Sequence, residues 1–310
     1  MITIRQGVIG CTAALLLATV SGCGDHALPV AATSVPAITN FDGQQALAAV
    51  RMFVALGPRE GGTTNALQAA NYLVSRLNQL KVVAEKQCFR DAVPGGTAEF
   101  CNVVGKITGR GQGVVILGAH YDTKSGVPGF IGANDSGSGV GVLLELARVL
   151  PSVWRGGPDI WLVFFDGEEC RVEYGPHDGF HGSRHLAQQL VSTGRAKDIR
   201  AMILLDMIGD RNLTVTLPPN GTPALTALAL TAAEQVGVRE KFSLASGPIF
   251  DDHQPFLAAG MPAVDLIDFQ FGSAPGLNDY WHTAADTLDK ISAESLQTIG
   301  RVILHMLAEL

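Results

Sequence analysis

The feature that most constrains this chain is a repeated unit, an apolar run of strand length that alternates with a segment of helical periodicity. Six runs have strand character: "VVAEKQCF", "FCNVVGKITG", "GVVILGAHYD", "IWLVFFDGEE", "AMILLDMIGD" and "AVDLIDF". Between several of them lie "GSGVGVLLELARVL", "GSRHLAQQLV" and "PALTALALTAAEQVG", with apolar residues at helical spacing. Ahead of the first run, "FDGQQALAAVRMFVAL" and "NALQAANYLVSRLNQL" repeat that period, the former closed by Gly57-Pro58. Strand alternating with helix predicts an α/β fold with a mostly parallel sheet covered on both faces. At 310 residues and 47% hydrophobic, the chain can bury one large core.

In such sheets ligands gather beyond the carboxyl ends of the strands. The ionisable residues fall there: "VVILGAHYD" ends in His120 and Asp122, "WLVFFDGEE" in Glu168 and Glu169, and "MILLDMIGD" in Asp206 and Asp210. Two loops add Asp135 in "GANDSGSG" and His282 in "DYWHTAADT". The carboxylates crowded into "DGEE" repel one another, so a cation belongs nearby. Oxygen and imidazole donors converging from separate loops, without cysteine, suit a hydrolytic zinc site. Simpler readings stand beside this one. Asp135 sits where a helix N-cap would, and a single His282 fits a surface or core position. Asp206 is harder to dismiss, because an unpaired carboxylate in an apolar strand is costly. Asp122 is placed to orient the His120 imidazole, whereas Asp166 and Asp210 read as structural or solvated rather than catalytic. A net charge of -7 with no basic run gives no electrostatic footprint for nucleic acid.

Taken together, "GAHYDTK", "GANDSGSGVGVLLELAR", "FFDGEE", "GSRHLA", "LLDMIGD" and "YWHTAADTLDK" resemble the M28 zinc peptidase superfamily over roughly residues 50–310. The resemblance implies a single domain with a central mixed, mostly parallel sheet flanked by helices on both faces. By similarity to the M28 aminopeptidases, His120, Asp135, Glu169, Asp206 and His282 would hold two zinc ions, with Asp135 bridging and Glu168 activating water. By similarity to the glutaminyl-peptide cyclotransferases, one zinc would be held by Asp135, Glu169 and His282. Those enzymes close an N-terminal glutamine into pyroglutamate and release ammonia.

Three stretches resemble the cyclotransferase branch more closely. The insertion "CRVEYGPHDGFH" separates Glu169 from "GSRHLA", and "DDHQPF" places Asp251 beside Glu168 and Asp206 in the expected catalytic set. "WHT" puts Trp281 where that family walls its substrate pocket with an indole; packing that merely orients the His282 loop is the other reading. The chain departs from the animal cyclotransferases at Tyr174, where they carry Trp, at Asp265, where they carry His, and at Ala119, where a cysteine pair is missing. Tyr174 is accordingly expected beside the substrate. The implied substrates are peptide or protein N-termini, by cyclisation or, in the peptidase reading, by hydrolysis.

The N-terminus bears on location. Residues 1–22 carry one Arg and an apolar stretch, the layout of a secretory signal. "VSGC" resembles a bacterial lipobox, the other reading being an ordinary cleavable signal with a chance cysteine; by the resemblance Cys23 is expected to carry lipid, residues 23–40 to form a tether, and residues 41–310 the catalytic domain. The protein is then exported and held at the cell envelope through the lipid anchor alone. In an oxidising compartment, Cys88 and Cys101, flanking a Pro-Gly-Gly turn between two strands, form either a hairpin disulfide or two buried thiols, leaving Cys170 alone. Nothing in the sequence specifies an oligomeric state.

Overall fold

The structure, a computed structural model, describes residues 40–310. The expected signal segment, Cys23 and the tether up to residue 39 lie outside the described residues.

Eight strands form one mixed sheet: β1 Val83–Val93, β2 Gly96–Ile107, β3 Val114–His120, β4 Asp159–Phe165, β5 Ile199–Asp206, β6 Val215–Leu217, β7 Phe242–Leu244 and β8 Ala263–Ile267, in the order β1-β2-β4-β3-β5-β8-β6-β7. The central β4-β3-β5-β8 ladder is parallel, as the alternating pattern predicts. Antiparallel pairings enter at its borders, where β2 meets β4 and β6 meets β8. The six sequence runs all became strands, each overlapping its quoted stretch. The two missed strands, β6 and β7, are three residues each, too short to show a period.

Around the sheet lie α1 Gly43–Val54, α2 Thr64–Gln79, α3 Gly137–Val153, α4 His181–Ser192, α5 Pro223–Val236, the short α6 Gln254–Ala258 and α7 Ala293–Glu309. Side-chain alternation along the strands divides the core. Val115 and Leu117 of β3 pack into a cluster with α1, α2, α3, α5 and α7, while Val114 and Ile116 pack with Leu186 and Leu190 of α4 and Phe256 of α6. The second face thus carries fewer helices. Helix α7 was not anticipated, although Ser292 caps its first turn and Leu296, Ile299, Val302, Ile303 and Met306 give a buried helical stripe.

The β1-β2 hairpin puts Cys88 opposite Cys101, and the two form a disulfide, the first of the two sequence alternatives. Cys170 is free and buried. Among the described residues, no helix is long and apolar enough to cross a membrane.

Candidate active site

Two strands of the parallel centre end in site residues at the same rim. His120 is the last residue of β3 and Asp206 the last of β5. His120 Nε2 lies 3.2 Å from Asp206 Oδ1 and 3.0 Å from Asp135 Oδ1. Asp135 comes from the loop ahead of α3, and it is not the helix cap: Ser136 occupies that position, and no side chain caps the helix. A carboxylate instead freed to face His120 and His282 rules out the simpler reading. The loop can come this close because Gly139 lets α3 lie against β3 and β5; a Cβ there would meet the Leu205 carbonyl at 2.4 Å and the Ala119 methyl at 2.8 Å.

The strand run "IWLVFFDGEE" does not stay extended through "DGEE". β4 stops at Phe165, and Gly167, at φ +71°, turns the chain so that Glu168 and Glu169 line one cavity. Asp122 holds this turn: its carboxylate accepts from the Glu168 N–H at 3.1 Å and the Glu169 N–H at 3.2 Å. The same carboxylate stands 3.5 Å from His120 Nδ1, the orienting position expected of it. Asp166 and Asp210 are structural: Asp166 accepts from the Cys101 N–H at 2.8 Å, and Asp210 accepts from the Asn212 N–H at 3.1 Å.

On the opposite wall, His282 Nε2 lies 2.9 Å from Glu169 Oε1 and 3.4 Å from Asp135 Oδ2. Trp281 lines the cavity and stacks on the His282 ring with centroids 4.0 Å apart. Tyr174 reaches in from the insertion, its hydroxyl 3.4 Å from Glu168 Oε2 and 3.3 Å from Glu169 Oε2. The insertion is ordered by Asp178, whose carboxylate accepts three successive backbone N–H groups from Arg171, Val172 and Glu173.

Sequence reasoning missed several supporting residues. Asp286, in the quoted "WHTAADT", accepts from the Asn134 and Asp135 N–H groups at 2.8 and 3.0 Å and so fixes the Asp135 loop. Arg59 is fully buried beneath the carboxylates, donating to the Tyr121, Gly57 and Ile131 carbonyls; burial lowers its pKa to about 10 against the pull of Asp122, Asp286 and Asp135. Lys124 stands 3.9 Å from Glu169 Oε2. No spacing rule marks these residues, since the chain brings them in from outside the strand ends.

The carboxyl groups divide by their surroundings. Burial would keep Asp135 protonated, yet His120 and His282 hold its pKa well below the ordinary carboxylate range. Burial also opposes charge on His282, but Asp135 and Glu169 lift it to about 9. Glu169 is pushed up to about 7, by burial and then by Asp135. On the other side, burial and the charges around it push Glu168 well above the ordinary range, and Asp251 likewise. Asp251 lines the cavity as expected, but its Oδ2 has no hydrogen-bond partner, so it acts on Glu168 through space. Behind it, buried Asp265 is also pushed well up and Asp252 to about 7. Buried like charges without partners keep protons.

Two sets of donor atoms lie close enough to share an ion: Asp135, Glu169 and His282, and His120, Asp135 and Asp206. The Asp135 Oδ2 has no hydrogen-bond partner although it is buried, which fits an oxygen meant for a cation. A mixed oxygen and imidazole set fits zinc.

Comparison with known proteins gives the same picture. Peptidase family M28 matches residues 102–307. A glutaminyl-peptide cyclotransferase from Drosophila melanogaster is 30% identical over 273 residues, covering 79% of this chain and 75% of that protein. The crystal structure of an Acidobacteriales bacterium glutaminyl cyclase superposes with a TM-score of 0.81 at 35% identity, covering 86% of this chain and 94% of the other. A Zn-dependent exopeptidase from Parabacteroides distasonis superposes at 0.78 and 28% identity, over 88% of this chain and all (100%) of the other.

Proposed function

Because the chain belongs to peptidase family M28, as a glutaminyl-peptide cyclotransferase-like member, we propose that it converts the N-terminal glutamine of peptides to pyroglutamate with release of ammonia. The observation that carries this reading is the division of the carboxyl groups. The donor atoms of Asp135, Glu169 and His282 lie close enough to share a cation, while Glu168, Asp206 and Asp251 line the same cavity with raised pKa values.

Zinc held by Asp135, Glu169 and His282 would supply Lewis-acid polarisation of the substrate's carboxamide oxygen. The chain's own groups do the rest. The acidic cavity attracts the substrate's α-amine. Glu168 takes a proton from that amine as its nitrogen bonds to the side-chain carboxamide carbon, and gives a proton to the amide nitrogen as its bond to the same carbon breaks and ammonia leaves. A glutamate whose pKa is raised well above the ordinary value suits both transfers, because it binds a proton more firmly than an exposed carboxylate does. Burial first, and then the neighbouring carboxyl groups of Glu169 and Asp251, keep it so. Trp281 and Tyr174 wall the side-chain pocket.

One observation favours a second reading. His120 and Asp206 complete a second donor set around Asp135, as a two-zinc aminopeptidase would need. Weighing the product of a Gln-initiated peptide decides between the two. Loss of about 17 mass units with every residue retained is the expected result, since the leaving group is ammonia; release of free glutamine would establish the peptidase. We further propose export, which the Cys88–Cys101 disulfide supports, with lipid attachment at Cys23 holding the protein at the cell envelope.

A further inference from the structure

The catalytic cavity, about 280 Å³, is flanked by two depressions. One, about 490 Å³, shares Pro248, Ile249 and Phe269 with it and is lined in good part by polar groups such as Ser243, Ser246 and Gln270. The other, about 820 Å³, runs between α4 and α6 and shares Tyr174 and Phe250 with the catalytic cavity. Its walls are apolar: Phe180, Ala187, Val191, Pro255 and Ala258. Phe250 is 68% exposed and Val191 52%, an apolar surface open to solvent. The one charged side chain lining it among the described residues, Arg184, donates to the Gly175 and Gly179 carbonyls, so its charge is engaged in holding the insertion.

Resting on the cyclotransferase reading, we propose that this groove receives the residues that follow the N-terminal glutamine, so that the enzyme selects peptides with apolar side chains at their second and third positions. A cavity of 280 Å³ takes the first residue, and the rest of the peptide must leave over the rim. At Tyr174 and Phe250 that rim is continuous with the larger groove, which offers apolar contact without a free charge to repel it. Burying even one leucine-sized side chain there raises kcat/KM by about tenfold or more.

The test compares Gln-Leu-Leu-amide with Gln-Ser-Ser-amide on the full chain and on Val191→Glu and Ala258→Glu, two substitutions outside the catalytic cavity. The proposal expects kcat/KM for the leucine peptide to exceed that for the serine peptide by about tenfold, mainly through KM. Either glutamate erases that gap and leaves the serine peptide unaffected. Equal values in the unsubstituted protein, or a gap that survives both substitutions, overturns the proposal. Calorimetric binding of pyroglutamyl-Leu-Leu-amide and pyroglutamyl-Ser-Ser-amide to the same proteins keeps the two claims separate. If glutamine peptides are not cyclised, the cyclotransferase reading fails, while the groove still stands or falls on whether Val191→Glu removes the preference for leucine. Should light scattering show that Val191→Glu splits a dimer while the gap persists, the groove belongs to a second copy and the proposal is wrong.

Discussion

Two groups of buried carboxyls at one rim stand in different surroundings. In the half formed by Asp135, Glu169 and His282, each carboxylate faces an imidazole, and Asp286 and Asp122 fix the backbone that presents them. In the half formed by Glu168, Asp251, Asp252 and Asp265, no imidazole among the described residues lies within ion-pair reach of Asp251 or Asp252, and the nearest of them to Glu168 and Asp265 are 4.0 and 3.9 Å away. The comparison teaches that carboxylate count alone does not make a metal site. Matched with imidazole and aimed by backbone, carboxylates form a place for a cation; stacked behind one another in a dry interior, they form a place for protons.

The sharpest way to break this comparison is Glu168→Gln, which keeps the shape of the proton half but removes its mobile proton. Turnover should fall by roughly 10²- to 10⁴-fold while zinc content is unchanged. Full activity in that variant would take Glu168 out of the chemistry. Asp286→Ala attacks the cation half from behind, by releasing the Asp135 loop. Zinc affinity, read by competition with a chelator, should weaken about 10- to 100-fold, with a smaller effect on any apo-protein property. Unaltered affinity would mean that the loop holds itself.

The half that stores protons also predicts a stability profile. Asp252 has its folded pKa raised to about 7 from the ordinary 3.8, so the folded state binds more protons than the unfolded state between those values. Its contribution is present at the acid end of that window and lost as pH rises through it. Asp252→Asn should therefore flatten the decline in stability from pH 4 to pH 7 by up to one proton's slope, about 1.4 kcal/mol per pH unit. Neighbouring His253 runs the other way. Burial lowers it to about 4 from 6.5, so its contribution is present above 6.5 and lost as pH falls toward 4. His253→Asn should steepen the net decline between pH 4 and 6.5, by denaturant titration at a series of pH values. Asn at either position leaving the slope untouched would show that the buried groups are not the ones titrating.

Much of this was legible in the sequence. The six long strands carried enough apolar residues to show their nature, and their acidic or histidine ends located the rim because a parallel sheet gathers its functional groups there. The lone His282 and the cap-like Asp135 could be recognised as partners only through resemblance, since their meeting depends on loops folding across the sheet. What stayed hidden was support from a distance. Asp286, Arg59 and Lys124 act through long-range contacts that leave no period behind. The turn at Gly167 also escaped notice, because glycine in "DGEE" permits a left-handed residue without requiring one.

The central claim, a cation half and a proton half, is tested most directly by counting metal. Elemental analysis of the protein saturated with zinc and freed of excess should find one zinc per chain, bound at Asp135, Glu169 and His282, and Asp206→Asn should leave that count at one. Two zinc ions per chain, falling to one in Asp206→Asn, would contradict the account: His120 and Asp206 would then belong to a second metal, and the site would be built for hydrolysis.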